Sequence, residues 1–268
     1  VSQAEHQAPD ERLLLREDLA GGIVRLTLNR PAAFNSLSSA LMADLQAELD
    51  AVRDDPQARV VIIEGAGRGF CAGHDLKEVR GLTDSEARRA LMRQCSTLMT
   101  SIVHAPKPVI AKVHGIATAA GCQLVASCDL AVAADDARYA TPGVNIGLFC
   151  STPMVALSRN VSRKHAMEML LTGETMDAPT AARFGLINRH VPAATLDDAA
   201  LELAGKIAAK SSHTVKIGKE AFYRQLEMGL SDAYAYASEV MVENLLARDA
   251  EEGIAAFVEK RDPVWQDR

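Results

Sequence analysis

The stretch Ala117-Thr118-Ala119-Ala120-Gly121-Cys122-Gln123 thins to very small side chains and then sets one amide at the start of an apolar segment. Taken alone, the small residues read as tight strand-to-helix packing. Gln123 offers a carbonyl oxygen and an NH₂ but no proton that titrates near neutral pH, so it can hold a group without serving as acid or base. His74, between Gly73 and Asp75, can titrate in that range and is the best candidate for moving a proton. The competing reading is that its ring faces solvent. Cys150 precedes Ser151, Thr152 and a helical segment, and a helix N-terminus lowers a thiol's pKa. No histidine stands near it in sequence, so an inert thiol is the preferred reading. Asp75 and Glu78 read as a loop brace or helix cap.

Composition limits what such a site serves. The chain has 268 residues, of which 48% are apolar and 4% aromatic, so Ala, Leu, Val and Ile must fill its core. A formal charge of −6 argues against a nucleic-acid surface, which needs a basic patch. An anionic small ligand would need a local cluster of Lys and Arg. The cysteines (Cys71, Cys95, Cys122, Cys128 and Cys150) form no C-x-x-C pair. They read as free thiols in a reducing compartment, with no metal site. No apolar run approaches the length of a membrane span. No signal peptide is visible, and a start at Val1 is compatible with removal of an upstream targeting segment.

These candidates must be positioned by regular elements. Val24, Leu26 and Leu28 alternate with polar residues after Gly21-Gly22, which reads as a hairpin ended by Pro31. Leu41, Leu45, Leu49 and Val52 have helical spacing behind a serine start. RVVIIEGAG and PVIAKVHG read as strands covered on both faces. Between them lie a small-residue loop carrying His74 and a helix opened by a capping box from Thr83 to Glu86. That helix stops before Pro106 and Pro108. The segment CDLAVAADDARYA holds the next strand. Further on, Asp177 reads as an N-cap, Pro179 as first turn and Gly185 as a C-terminal cap. Three helices are expected over roughly 196–210, 214–228 and 231–249, then a last one in EEGIAAFVEKRDPVW. Alternating strands and helices predict an α/β body with parallel pairing. The expected division is a core over 12–195 and a helical extension over 196–268, with residues 1–10 frayed.

Five blocks carry a resemblance: LTLNRPAAFNSLSSAL, VIIEGAGRGFCAGHDLKEV, KPVIAKVHGIATAAGCQLVASCDLAVAADDARYATPGVNIGL, AMEMLLTGETMDAPTAARFGLINRHVP and EGIAAFVEKRDPVW. In this order and spacing they resemble the crotonase (enoyl-CoA hydratase/isomerase) superfamily over nearly the whole chain. The resemblance implies a ClpP-like spiral of β-β-α turns with a helical C-terminal trimerisation region. It implies a homotrimer or hexamer, a mitochondrial matrix location and a role in fatty-acid metabolism. It implies no cofactor, with a coenzyme A thioester as substrate or ligand. By resemblance the backbone amides of His74 and Ala120 form an oxyanion hole for the thioester oxygen, although Ala120 stands where Gly is usual. Cys71, Ala72, His74, Asp75, Leu76 and Lys77 would hold coenzyme A, joined by Phe257 and Lys260, often from a neighbouring subunit. Lys260 competes with a reading as a solvated helix charge, and Phe257 is expected to be buried either way.

The resemblance also shows what is missing. Hydratases of the family use two glutamates; the corresponding residues here are Gln123 and Gly143. Each acid or base contributes roughly 100- to 10,000-fold, so loss of both is expected to slow hydration by ~10⁴-fold or more. Little or no conventional hydratase activity is expected. The alternative is different chemistry on acyl-CoA (decarboxylation, thioester hydrolysis or enolate protonation) using the oxyanion hole and His74. Replacing both positions with Glu should raise hydration unless the loop 149–155, which lacks the family's usual glycines, closes the pocket.

Overall fold

The computed structural model describes residues 12–268, and the segment expected to be frayed, 1–10, falls outside the described residues. β1 (Leu14–Leu19) and β2 (Ile23–Leu28) form the predicted hairpin, with Leu14 opposite Leu28 and Leu19 opposite Ile23. α1 (Ser39–Asp54) starts where the Ser38 hydroxyl accepts from the Leu41 amide, the serine start read from sequence. β3 (Val60–Gly65) follows, then α2 (Leu76–Gly81), a short helix hidden in the segment read as a loop. α3 (Ser85–His104) is capped by Asp84, whose carboxylate accepts from the Glu86 and Ala87 amides. The expected box from Thr83 gives way because an ionised carboxylate one residue later suits the positive helix end better.

β4 (Val109–Val113), β5 (Ile116–Thr118), α4 (Ala120–Ser127), β6 (Leu130–Ala134) and β7 (Arg138–Ala140) come in close succession. After α5 (Pro153–Asn160), α6 (Arg163–Thr172) and β8 (Met176–Asp177), α7 (Ala178–Phe184) shows the predicted punctuation: Asp177 caps it and Gly185 ends it in the left-handed region. β9 (Arg189–Val191) leads to α8 (Leu196–Ala208), α9 (Ser212–Gln225), α10 (Leu230–Leu245) and α11 (Arg248–Glu259).

The main sheet runs β1-β2-β3-β4-β6-β9, parallel except for the first hairpin. A second sheet, β5-β7-β8, was not expected from sequence. Its strands of three, three and two residues are too short to show a period. β3 explains its own apolar run. Val61 and Ile63 face a core shared with Leu41, Leu45, Leu98 and Ile102. Val60 and Ile62 face Ala200 and Ala204 of α8. Small alanines let α8 lie close across that outer face, so the layer that closes the sheet comes from beyond residue 195. The cysteines are all buried and free, as read from their spacing.

α9 is fixed to the edge of the sheet where the parallel strands begin. Lys219 Nζ donates to Asp129 Oδ2 at 2.7 Å and to the carbonyls of Ile102 and Lys107 at 3.0 and 3.1 Å. The Tyr223 hydroxyl donates to the other Asp129 oxygen at 2.9 Å, and the Val109 amide donates to Oδ2 at 2.7 Å. The chain end returns to the same edge: Arg59 pairs with Asp267 at 2.8 Å, and the Trp265 indole donates to the Ala209 carbonyl.

Candidate active site

The opposite edge, where β3, β4 and β6 end, carries the predicted site residues. Beyond β3 the chain is knitted to its neighbours bond by bond. The Phe70 and Cys71 amides donate to the His114 and Ile116 carbonyls, and the Thr118 amide donates back to Cys71. The Leu37 amide donates to Gly73, and the Asp75 amide to Leu37. Asn35, fully buried, accepts from the Arg30 amide and donates to the carbonyls of Ala66 and Gly69, each at 2.8 Å. The His74 amide between these contacts donates to no backbone carbonyl among the described residues.

Glycine makes the approach to α4 possible. At Gly73 (φ +95°) a Cβ would lie 2.9 Å from Ala119 Cβ and 3.3 Å from Ala120 N. At Gly121 a Cβ would meet the Cys71 carbonyl at 2.1 Å. The small-residue run is therefore close packing, and that packing brings the loop carrying His74 against the first amide of α4. Ala119 stands at φ 50°, ψ −117°, a conformation normally left to glycine. Such backbone costs on the order of 1–3 kcal/mol and persists only where its surroundings impose it. Here β5 pairs with β7, and the Ala119 amide donates to the Ala140 carbonyl at 2.8 Å. The strain sets the direction of the Ala120 amide, which as the first of its helix has no intrahelical partner.

Side chains around this point are buried and unpartnered. Both His74 ring nitrogens are shielded from solvent and make no hydrogen bond, so the solvent-facing reading of the ring does not hold. Burial pushes the His74 pKa below the ordinary imidazole value, outweighing the Leu37 backbone and the Glu78 charge. Gln123 is 4% exposed, and its Oε1 is buried without a partner. Thr141 and Tyr139, on and just after β7, are fully buried with unpartnered hydroxyls. Thr141 was missed from sequence. Its only signal was its place two residues before Gly143.

Gly143 is not a simple vacancy. A Cβ there would lie 2.7 Å from the Leu148 carbonyl and 2.9 Å from Cys150 Sγ. The loop is held in that place by the Leu148 amide, which donates to the Gly143 carbonyl at 2.9 Å. A glutamate at 143 therefore collides with backbone, which falls under the reserved case in which the loop blocks restored carboxylates. Cys150 is buried and its pKa is raised by that burial, in keeping with an inert thiol.

The remaining site candidates divide between brace and surface. Asp75 caps α2 through the Lys77 and Glu78 amides and pairs with Arg30 at 2.8 Å. The Arg30 contact holds its pKa below the usual carboxylate value. Glu78 accepts from the Ser39 amide and hydroxyl at the start of α1. Cys71 is fully buried, with its pKa pushed up to about 12. Ala72 lies between these braces, its amide donating to Phe34. Leu76 and Lys77 are exposed on α2. Phe257, expected to be buried, is 86% exposed on α11. Lys260 is the left-handed cap that ends that helix. One chain does not bring these two to His74: α11 packs on α9 and α10, and its first turn, through Asp249, holds Gln266 and Asp267 of the returning tail.

The family model for Enoyl-CoA hydratase/isomerase matches residues 18–268. The chain belongs to the crotonase family. Enoyl-CoA hydratase domain-containing protein 3, mitochondrial, of Xenopus laevis is 49% identical over 244 residues, which is 91% of this chain and 83% of that protein. The crystal structure of enoyl-CoA hydratase from Mycobacterium smegmatis superposes with a TM-score of 0.94 at 51% identity, covering 95% of this chain and 99% of that one. The crystal structure of human enoyl coenzyme A hydratase domain-containing protein 3 gives 0.92 at 47% identity, covering 95% and 100%. The crotonase fold accounts for the stacked strands, the small second sheet and the helical C-terminal end described above.

Proposed function

We propose that this crotonase-family chain binds acyl-CoA thioesters through an oxyanion hole formed by the His74 and Ala120 amides and has little or no enoyl-CoA hydratase activity. The observation that carries this reading is the state of the two acid–base positions: Gln123 is an amide, and the side-chain space of Gly143 is taken by Leu148 and Cys150. Two amides aimed at developing enolate charge still stabilise it, and losing one such donor costs on the order of 100- to 1000-fold in rate. The loop 71–77 would hold coenzyme A, with Lys77 near its phosphates. Phe257 and Lys260 would come from a neighbouring chain in a trimer. The exposed apolar residues Leu230 (77%) on α10, Leu246 (83%) just after it and Phe257 (86%) on α11 support that assembly. A mitochondrial location, which the names of the relatives support, and a role in fatty-acid metabolism belong to the same proposal.

One observation favours a second reading, an acyl-CoA enzyme of different chemistry. His74 is half-buried, its two ring nitrogens are shielded and unpartnered, and burial lowers its pKa, so the ring is available for proton transfer. The test is mass spectrometry of acyl-, enoyl- and malonyl-type CoA thioesters incubated with the protein in D₂O. The binder reading predicts no product above the enzyme-free control for crotonyl-CoA; ready hydration would refute it. Deuterium at the α-carbon, lost in His74→Ala, would establish the second reading.

A further inference from the structure

The direction of the His74 amide is set by a segment forty residues upstream in the chain, about one strand away in space. Leu37 stands opposite His74 in a single parallel pairing: the Leu37 amide donates to the Gly73 carbonyl at 2.7 Å, and the Asp75 amide donates to the Leu37 carbonyl at 3.1 Å. In a parallel ladder, the residue whose two neighbours make the bonds turns its own N–H to the other side. The His74 amide therefore points away from the segment 30–37. The turn before Leu37 holds that pairing in place. Phe34 and Asn35 both lie in the left-handed region, at φ 49° and 54°, which asparagine tolerates better than most residues. The Ala72 amide donates to the Phe34 carbonyl at 2.9 Å. The Arg30 guanidinium donates to the Ser36 carbonyl and to Asp75, the latter at 2.8 Å. Asn35, fully buried, closes the turn by accepting from the Arg30 amide at 2.8 Å. Its NH₂ ties the turn to the carbonyls of Ala66 and Gly69, also at 2.8 Å. Gly65 leaves room for that group, since a Cβ there would lie 2.7 Å from Asn35 Nδ2.

We infer that Asn35 is a positioning residue for the oxyanion hole, fixing the turn 30–37 to the start of the loop whose end carries His74 and so aiming the His74 amide at the thioester oxygen. This rests on the thioester-binding reading and deepens it. Asn35 is sealed in the core and acts only through backbone. Aim matters because a hydrogen bond weakens steeply once its donor angle falls below about 120°. A displacement of about 1 Å caused far from the reacting atoms can cost about 100-fold in rate. The second donor is held independently: the pairing of β5 with β7 and the bond from the Ala119 amide to Ala140 set the Ala120 amide. Loss of Asn35 thus misdirects one donor of the two.

Infrared difference spectra of butyryl-CoA bound to the full chain, with a heavy-carbon label at the thioester carbonyl, test this. A hydrogen bond to the carbonyl oxygen draws electron density from the C=O bond and lowers its stretching frequency. The wild type should lower that frequency on binding. Asn35→Gly accepts the left-handed backbone but lacks the amide, and about half of the wild-type shift should be lost with one of two donors misdirected. Arg30→Gln, which loosens the same turn from its half-buried rim, should lose a smaller part. Tyr223→Phe, which removes a hydrogen bond at the other edge of the sheet, should lose none. The full wild-type shift in folded Asn35→Gly, or in Arg30→Gln should the first variant not fold, overturns the positioning role and leaves the thioester-binding reading standing. An equal loss in Tyr223→Phe also overturns it, because general loosening would then be the cause. Butyryl-CoA that does not bind the wild type, or binds without any shift, overturns both.

Discussion

The two edges of the main sheet treat buried polar groups in opposite ways. Where the strands begin, Lys219, Asp129 and Tyr223 are closed on one another: Lys219 Nζ has three acceptors and Asp129 both oxygens engaged. Where they end, the side chains of Gln123 and Thr141 and the ring nitrogens of His74 are shielded from solvent without hydrogen-bond partners. The first arrangement fixes a helix to the body. The second leaves hydrogen-bonding capacity unused, as the proposed ligand site requires. Burial alone does not separate these two edges; pairing does.

The largest expected effect comes from breaking the closed edge. Lys219→Met leaves the Asp129 charge buried without its cation, and removal of one partner of a buried pair costs roughly 3–5 kcal/mol. At the open edge, Gln123→Met removes no protein hydrogen bond of its carbonyl oxygen and should cost under ~1 kcal/mol. Urea denaturation of both variants measures the contrast. Equal losses would mean that the two edges do not differ in kind.

A middle-sized effect is expected at Gly143. Gly143→Glu forces a side chain into the space of Leu148 and Cys150, and overpacking of this sort costs typically ~1–3 kcal/mol. The variant should melt lower and gain no hydration of crotonyl-CoA, alone or with Gln123→Glu. A gain in hydration would show that the loop yields readily.

The smallest effect is the pH response of His74. Its folded pKa lies below that of the unfolded chain, so below about pH 6.5 the unfolded state binds more protons. This contribution to stability is complete above that pH and is lost as pH falls toward and through the folded pKa. Melting of wild type and His74→Gln between pH 7 and 5 should show a shallower acid-side decline in the variant. Parallel curves would place the ring in solvent.

Much of this architecture was legible in residues that act locally. Ser38, Asp177 and Gly185 announced helix ends because capping depends on the nearest few amides. The continuous apolar run of β3 announced a sheet covered twice. The absence of a carboxylate at Gln123 and at Gly143 was legible in the sequence, and the resemblance gave that absence its meaning as an expectation. What stayed hidden depends on partners distant in sequence. Lys219 meets Asp129 across 90 positions, and no local pattern marks that pair. Asp84 displaced Thr83 because two cap candidates were adjacent and charge decided between them. Thr141 carried no signal beyond its place near Gly143, since a lone threonine becomes informative only when its surroundings leave it unpaired. Gly143 read as an absence, and only the fold shows that other atoms fill it.

The buried cysteines give the molecule a property apart from any ligand. Burial pushes Cys71 and Cys122 to about 12 and Cys95 to about 11, and raises Cys128 and Cys150 as well. Alkylating reagents attack the ionised form, and burial disfavours that form at every one of these positions. Each native thiol should therefore react slowly until its own surroundings open. They sit on the loop before His74, on α3, on α4, at its end and beside Gly143. Labelling rates at these positions would therefore act as an internal gauge of which layer breathes first.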